Sequence, residues 1–382
     1  MGLAGLRHPR ADVRYAARMT KKRKKRKGAR ERDWGTKHET AFSRDLVRHL
    51  RAIPSVTDAA PKAPLPDAFT PNATVISHTK KWAFVERDGK EALCRIDERL
   101  SAARGSLLAA GDRVLVEDEG DTAFVRAIAE RHTWLSRPAK RGGREQVLAA
   151  NVDLLLVIAA AADPTFKPGL VDRFLIAASV GGVTPILVLN KMDLVAAPPE
   201  TAALYPALGV EMHCVSAETG HGLDALRARL AQQTSVLAGH SGVGKSTLVN
   251  ALDPRLRVLT ADVSAYSGRG RHTTTGARMY ALQAGIRIID TPGIRALGLW
   301  DVSPAEVARY YPDLAEHAAR CRFRDCTHTH EPGCAVLGAV EAGDIAQARY
   351  ASYLRVRGSL EDARGNTPGQ TSQRRWDGAP PD

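Results

Sequence analysis

The sequence feature that most restricts the fold is a glycine-rich octapeptide, Gly-His-Ser-Gly-Val-Gly-Lys-Ser, at residues 239–246. It matches the phosphate-binding pattern G-x-x-x-x-G-K-[ST] at every fixed position. The apolar run 235–239 predicts a strand before the loop, and residues 247–252 predict a helix after it. A loop that joins a buried strand to a helix N-terminus belongs to an α/β domain with a parallel sheet. A glycine-rich turn with a purely structural role is the alternative.

The side chains of this octapeptide have separate tasks. Glycines let backbone N–H groups curl around phosphate oxygens, where a Cβ atom would obstruct the approach. Lys245 supplies a positive charge for the β- and γ-phosphates and is one candidate catalytic group, while the Ser246 hydroxyl is placed to bind Mg²⁺. The predicted nucleotide-binding residues in the loop and the first helical turn are Gly239, His240, Ser241, Gly242, Val243, Gly244, Lys245, Ser246 and Thr247.

The tetrapeptide Asn190, Lys191, Met192 and Asp193, directly after an apolar strand, indicates which base is bound. A carboxylate at Asp193 can accept from the N1–H and the 2-amino group of guanine, and adenine offers neither donor at that edge. Asn190 can bond the ring edge, and the Lys191 stem can cover the base. Together with the phosphate loop, this tetrapeptide disfavours an ATPase or a small-molecule kinase; the alternative is a chance helix cap at Asp193.

A second base contact is expected from Ser216 and Ala217, at the end of the predicted strand 210–215, where a backbone N–H could meet guanine O6. By itself the segment 215–217 does not identify a guanine site; it gains meaning only beside the other motifs.

Residues 290–293, Asp-Thr-Pro-Gly, follow the apolar run 286–289. Asp290 can hold Mg²⁺ through water, and Gly293 allows a backbone N–H to meet the γ-phosphate. The polar, glycine-rich stretch 268–276 has the composition of a switch loop, in which a threonine hydroxyl reaches Mg²⁺. Thr274 is our candidate, although its two threonine neighbours remain open.

Four side chains near the C-terminus have the spacing of a metal site: Cys321, Cys326, His328 and Cys334. Three thiolates and an imidazole within 14 residues suit tetrahedral Zn²⁺ in a closed, structural site. His330 competes with His328 for the fourth position. Cys94 and Cys214 stand alone on β-like runs and are expected in the core.

Positive charge is concentrated at the N-terminus. The chain has a formal net charge of +13, but residues 1–32 alone hold 13 Lys and Arg against two acids, so the remainder is nearly balanced. Seven adjacent cations at 21–27 predict a disordered arm that contacts nucleic acid, or else a solubilising tail. Arginines beside the cysteine cluster also favour RNA contacts; they are Arg320, Arg322 and Arg324.

Compartment follows from what the sequence lacks. The longest apolar run, 154–162, is about half of a bilayer crossing, which excludes a membrane-spanning protein. An odd number of cysteines without a secretory signal indicates a reducing, cytoplasmic location.

The chain divides by composition into five parts. Residues 1–68 are expected to be a disordered arm and linker, with room for one short helix near 42–51. Five predicted strands at 73–77, 82–86, 92–96, 112–116 and 122–128 indicate a small barrel over 69–136, of the OB-fold type or an SH3-like alternative. Residues 137–300 alternate strands with helices, the first helix over 170–180, as expected of an α/β domain. Residues 301–363 are expected to form a helical zinc-binding domain, with helices over 303–319 and 335–357, and 364–382 a disordered tail.

The motifs do not come in the usual order. Ras-like GTPases run phosphate loop, switch threonine, D-x-x-G, N-K-x-D and S-A, whereas here N-K-x-D and S-A come first. The chain is therefore expected to be circularly permuted, with Asp290 near the end of the nucleotide domain. This position suggests that the γ-phosphate state is passed directly to the C-terminal module.

With these motifs the chain resembles the RsgA (YjeQ/EngC) family, circularly permuted GTPases of small ribosomal subunit maturation. The resemblance covers about residues 70–360 and implies an OB-fold, a permuted GTPase domain and a zinc-binding helical domain. It implies a GTPase stimulated by the small ribosomal subunit and acting on 16S rRNA in late assembly, with GTP or GDP, Mg²⁺ and one structural Zn²⁺. We expect a monomer. A permuted GTPase of the large subunit would lack this barrel and cysteine combination.

The residue that positions the attacking water is not given by the nucleotide-binding motifs. Ile294 stands where a Ras-like protein carries the glutamine that orients water, so unaided hydrolysis should be slow. His272, in the switch loop, is the polar candidate, as is suspected for the matching histidine of the family. The alternative function is an RNA-binding scaffold in which nucleotide binding is regulatory rather than catalytic.

Overall fold

The computed structural model describes residues 69–102, 108–138, 145–256, 277–291, 299 and 302–365. The basic arm, the possible helix near 42–51 and nearly all of the tail lie outside these residues, as does the switch stretch 268–276.

Five short strands form a closed barrel: β1 (Ala73–His78), β2 (Trp82–Arg87), β3 (Lys90–Ile96), β4 (Arg113–Glu119) and β5 (Thr122–Ile128). Each pairs with two others in the order β1-β2-β3-β5-β4, and β4 pairs back to β1. The β3–β5 pairing is parallel and the others are antiparallel. This closed five-stranded arrangement has the OB-fold topology, so of the two predicted barrel types the OB-fold is confirmed.

Alternation of apolar side chains explains the barrel interior. Val75, Val85, Val114 and Val125 are fully buried within it. The two-residue turn between β2 and β3 has positive φ at Asp88 and Gly89, as a type I′ hairpin requires. A short helix, α1 (Glu98–Ala102), follows β3. A separate hairpin that the sequence did not predict follows the barrel, β6 (Trp134–Pro138) with β7 (Glu145–Ala150).

The barrel is continuous with six further strands: β8 (Leu154–Ala160), β9 (Thr184–Asn190), β10 (Glu211–Cys214), β11 (Thr234–Ala238), β12 (Arg278–Ala281), which pairs with β1, and β13 (Arg287–Asp290). The order is β10-β9-β8-β11-β13-β12, parallel throughout except for β12, an antiparallel strand missed from sequence. Every residue of β8 is buried, as expected of a central strand covered on both faces. The connecting helices are α2 (Pro168–Val180), α3 (Glu200–Ala207), α4 (Leu223–Leu230) and α5 (Lys245–Leu252).

The C-terminal region is helical, with α6 (Pro312–Ala318), α7 (Ala335–Ala342) and α8 (Gln347–Gly365). The predicted helix over 303–319 is interrupted before Pro312, where a 3₁₀ turn, Val307–Tyr310, precedes α6. Gly343, with φ of 85°, ends α7 and so divides the predicted helix 335–357. Helix α8 runs past residue 357 to Gly365.

The lone cysteines behave largely as core residues. Cys94 is fully buried in the barrel, and Cys214 is half-buried against the α/β core. In the described ranges, no helix is both long and apolar enough to cross a membrane.

Candidate nucleotide site and metal centre

The predicted nucleotide-binding motifs meet at one edge of the sheet. Strands β8, β9, β10, β11 and β13 are parallel, so their carboxyl ends point to the same side. Asn190 is the last residue of β9, Asp290 is the last residue of β13, and the phosphate loop follows β11. The carboxyl edge of a parallel sheet is where α/β proteins bind ligands.

The phosphate loop needs its glycines because neighbouring groups crowd it. Gly239 has φ of 149°, and a Cβ there would lie 2.2 Å from the carbonyl oxygen of Ile158. Gly244 has φ of 88°, and its Cβ would lie 2.5 Å from the side-chain nitrogen of Asn190. Neither position accepts another residue without displacing backbone or a buried amide.

Lys245 folds back over the loop that it follows. Its ammonium donates to the carbonyl oxygens of Gly239 and His240, at 2.9 and 2.7 Å. Ser246 and Thr247 lie in the first turn of α5, where unpaired N–H groups and the helix dipole favour an anion.

Asn190 holds the phosphate loop against residues 190–193, the tetrapeptide that is called the base loop from here on. Only 1% of the residue is exposed. Its side-chain nitrogen donates to the Val243 carbonyl at 2.9 Å, and its side-chain oxygen accepts from the Ala217 N–H at 3.0 Å. The Ala217 N–H, one of the backbone groups in the segment predicted to meet guanine O6, is therefore hydrogen-bonded to Asn190 here.

Asp193 is exposed but oriented. The buried Ser216 hydroxyl donates to its Oδ1 at 2.5 Å. Lys191 takes a left-handed backbone conformation, with φ of 64°, and its ammonium donates to the Asp163 carbonyl. The Met192 N–H donates to the Val215 carbonyl at 3.1 Å, which fixes the base loop on the segment after β10.

The magnesium side of the site is described only in part. Asp290 ends β13, and the buried Thr291 hydroxyl finds no hydrogen-bond partner among the described residues. His272, Thr274 and Gly293 lie outside the described residues, so their predicted roles gain no structural account.

The four predicted metal ligands come together. One ligand atom from each of Cys321, Cys326, His328 and Cys334 lies within 4.8 Å of every other. The Cys321 and Cys334 sulfurs are 3.9 Å apart, and each is 3.5 Å from His328 Nδ1. A tetrahedral site with metal–sulfur bonds of about 2.3 Å and metal–nitrogen bonds of about 2.0 Å has edges of about 3.8 and 3.5 Å. His330 is exposed and lies outside this cluster.

Burial changes the pKa of two of the four ligands. Burial and the neighbouring thiols of Cys334 and Cys321 raise the pKa of Cys326 to about 12. Burial lowers the pKa of His328, so its imidazole is held neutral. Binding of a metal ion to these thiols would therefore release protons.

Hydrogen bonds from Glu331 and Tyr350 hold the loop around His328, the ligand loop, in place. Glu331 accepts from the Thr327 and Thr329 N–H groups at 2.8 and 3.1 Å, and from the Thr327 hydroxyl. Although burial opposes it, these bonds hold the pKa of Glu331 well below its usual range. The Tyr350 hydroxyl donates to the His328 carbonyl at 2.8 Å, which ties the loop to α8.

Sequence reasoning missed several groups around these sites. The loop at 161–167 carries the Asp163 carbonyl that holds Lys191, and it has only turn-type composition. Glu331 lies between two ligands, a position that could have suggested a supporting role. Asp172 and Arg349 form a buried ion pair, for which the one signal was an acid within the apolar helix 170–180.

Strand order and motif order together define this protein as a circularly permuted P-loop GTPase. Residues 128–300 match the family model described as RsgA GTPase. The chain belongs to the RsgA GTPase family, because curated members share more than a third of their residues with it over most of their length.

Two curated relatives show the extent of this similarity. The small ribosomal subunit biogenesis GTPase RsgA of Gemmatimonas aurantiaca is 44% identical over 288 residues, covering 73% of this chain and 94% of the relative. The Shewanella oneidensis protein of the same name is 37% identical over 307 residues, covering 77% and 84%.

Solved structures agree with the fold. YjeQ from Thermotoga maritima aligns with a TM-score of 0.59 and 29% identity, over 76% of this chain and 98% of YjeQ. YloQ, a circularly permuted GTPase, aligns with a TM-score of 0.57 and 27% identity, over 77% and 96%.

Proposed function

We propose that this GTPase acts in late maturation of the small ribosomal subunit, where it binds 16S rRNA and uses GTP hydrolysis to time its release. The relatives that carry the name small ribosomal subunit biogenesis GTPase support this role. The observation that carries the nucleotide part is the pair of hydrogen bonds made by Asn190, which joins a phosphate loop to a base loop.

In this proposal each motif meets one part of Mg²⁺-GTP. Lys245 would exchange the carbonyls of its own loop for the β- and γ-phosphates, and Ser246 and Asp290 would hold Mg²⁺, which would neutralise charge on the phosphates. Asp193 accepts from the guanine N1–H and 2-amino group, with Ser216 fixing its orientation. His272 as the group that places water rests on the family resemblance, whereas Thr274 at Mg²⁺ and Gly293 at the γ-phosphate rest on the composition of 268–276 and on the Asp-Thr-Pro-Gly motif.

Base recognition is tested by Asp193→Asn. An amide at this position would donate to the 2-oxygen of xanthine but no longer accept from both guanine donors. We expect guanine nucleotide affinity to fall at least a hundredfold and xanthosine diphosphate to bind more tightly than GDP. Unchanged GDP binding would remove Asp193 from the base site.

We propose Zn²⁺ for the cysteine centre, since its spacing fits zinc–thiolate and zinc–imidazole bonds. Purified protein should contain one zinc per chain by elemental mass spectrometry. Cys334→Ser should lose it, whereas Cys214→Ser, a matched change outside the cluster, should retain it. Full zinc content in Cys334→Ser would contradict the assignment.

The ribosomal role is tested by co-sedimentation with separated subunits, followed by turnover. We expect selective binding to the small subunit with a non-hydrolysable GTP analogue, weaker binding with GDP, and faster hydrolysis when small subunits are added. Lys245→Ala should abolish the stimulated turnover. Equal binding to both subunits, with no stimulation, would overturn the proposal.

The remaining parts of the chain fit this role. We propose domain boundaries at 69–136, 137–300 and 301–363 in a cytoplasmic monomer. The arm 1–32 is proposed to add affinity for rRNA phosphates. Its deletion should weaken rRNA binding and flatten the salt dependence while intrinsic GTPase activity survives.

A further inference from the structure

A buried cluster of charges joins the nucleotide domain to the metal-binding region. Asp172 on α2 and Arg349 on α8 are 2% and 4% exposed. The Arg349 guanidinium donates to the Asp172 carboxylate. Two of its nitrogens also donate to the Asp313 carboxylate, at 3.0 and 3.1 Å. It lies 4.6 Å from the centre of the Tyr311 ring. Arg349, on the C-terminal helix, is thus hydrogen-bonded to one carboxylate of the nucleotide domain, Asp172, and to one of the metal-binding region, Asp313.

We infer that Arg349 is a positioning residue through which the metal-bearing C-terminal domain sets the affinity of the GTPase domain for guanine nucleotide. The inference rests on the proposed nucleotide site and deepens it, because it names a residue more than 100 positions from the phosphate loop as part of its control.

The first step runs from Asp172 to the loop beside the base. The Tyr205 hydroxyl lies 3.1 Å from Asp172 Oδ1 and 3.2 Å from the Pro168 carbonyl, where α2 begins. The Tyr205 ring meets Phe166 edge to face, with centroids 6.0 Å apart. Asp172 therefore fixes both the start of α2 and the loop 161–167 that leads into it.

The second step runs from that loop to the nucleotide motifs. The Ala161 N–H donates to the Asn190 carbonyl at 2.8 Å, and the Asp163 carbonyl accepts from the Lys191 ammonium. Pro164 lines a cavity with His240 and Val243 of the phosphate loop. A shift of this loop would move the residue proposed to cover the base.

The third step runs from Arg349 to the metal centre. The next residue on α8, Tyr350, donates to the His328 carbonyl at 2.8 Å, and Tyr353, one turn further, donates to the Thr327 carbonyl at 2.8 Å. The helix that carries Arg349 is thus attached to the ligand loop. Loss of metal would loosen α8, and a loosened α8 would release Asp172.

A buried ion pair can also be merely structural, so the test has to separate the two roles. Coupling between two sites is reciprocal: if the metal strengthens nucleotide binding, nucleotide must strengthen the metal site by the same factor. A pair that only supports the fold would lower stability without linking the two affinities.

The experiment measures the dissociation constant of fluorescent GDP for zinc-loaded and chelator-treated protein. In the unaltered chain, chelation should weaken GDP binding about tenfold, within the range of typical coupling factors. Arg349→Met should bind GDP about tenfold more weakly when loaded and show little further loss on chelation. Arg349→Lys keeps the charge but loses the bidentate hydrogen bonds to Asp313. Its dissociation constant for GDP should lie between those of the unaltered protein and Arg349→Met.

The effect of GDP on hydrogen exchange near the metal centre distinguishes coupling between the two sites from a simple loss of stability. GDP should slow exchange in residues 327–334 of the unaltered protein and leave it unchanged in Arg349→Met. Arg126→Met is the matched control, because Arg126 is 8% exposed, donates to the buried Asp97 at 2.7 Å within the barrel and touches neither site. It should retain GDP affinity within twofold.

Each failure has its own meaning. If the unaltered chain does not bind GDP, the proposed function is wrong and the inference falls with it. If it binds GDP, but folded Arg349→Met or Arg349→Lys keeps full affinity and the same GDP effect on 327–334, the inference alone is overturned. Should Arg349→Met not fold, Arg349→Lys and Asp313→Asn decide.

Discussion

Replacing Asn190 with alanine should damage folding stability and nucleotide binding together. The residue is 1% exposed, and its amide bridges the Val243 carbonyl and the Ala217 N–H at 2.9 and 3.0 Å. Alanine would leave the Val243 carbonyl and the Ala217 N–H without the partner that Asn190 provides. Each buried group left without a partner costs about 1–3 kcal/mol.

The magnitude follows from these two bonds. The free energy of unfolding should fall by about 2–6 kcal/mol, measured by urea denaturation without nucleotide. Since the same bonds place the phosphate loop against the base loop, GDP binding should also lose at least about 1.4 kcal/mol, which is tenfold in the dissociation constant. Fluorescent GDP titration measures this second loss.

A matched control separates the two effects. Asn72 makes the same kind of double contact, to the Val116 backbone at 2.9 and 2.8 Å, but on the barrel and as an exposed residue, so its loss should cost less stability than that of Asn190. Asn72→Ala should lower stability and leave GDP affinity within twofold. The reasoning is refuted if Asn190→Ala unfolds within 0.5 kcal/mol of the parent, the range of an ordinary surface change, or if its GDP affinity matches that of Asn72→Ala.

Three further changes test other parts of the structure. Gly239→Ala should lower the free energy of unfolding by about 1–3 kcal/mol in urea and abolish GDP binding, because its Cβ would lie 2.2 Å from a backbone carbonyl oxygen. Glu331→Gln should weaken zinc binding about 10–100-fold in chelator competition, since it supports the ligand loop. Asp97 has its pKa held below the usual range by hydrogen bonds from Arg99, so its contribution to stability is present above about pH 4 and lost as the pH falls. Asp97→Asn should therefore flatten the fall in urea midpoint between pH 5 and pH 3; an unchanged slope would contradict this assignment.

Local patterns in the sequence predicted the elements, and long-range pairing accounts for what they missed. The barrel strands follow from alternating apolar residues and from the turn at Asp88 and Gly89, which are properties of neighbouring residues. Strand β12 has four residues and no distinctive run of its own, and it exists because β13 and β1 provide partners. Such a strand is fixed by tertiary context rather than by its own composition.

The same distinction holds at the sites. Motifs predicted the phosphate loop and the metal ligands because each is a short segment in which spacing dictates geometry. The use of Asn190 as a bridge could not be read from sequence, since its partners Val243 and Ala217 offer backbone groups that any residue would provide. Asp172 and Arg349 are 177 positions apart and look like two ordinary surface charges until the fold buries them.

In the proposed nucleotide site the C-terminal domain would be connected to the nucleotide in two separate ways. It follows the strand that ends at Asp290, the proposed Mg²⁺ ligand, so circular permutation would lead the chain there from the γ-phosphate side, through residues 292–298 that lie outside the described part. It also reaches back through α8 to α2, whose preceding loop holds Lys191 on the base side. The first connection would distinguish GTP from GDP, whereas the second would respond equally to both, because both carry guanine. A domain with both connections can register that the site is filled independently of whether hydrolysis has occurred.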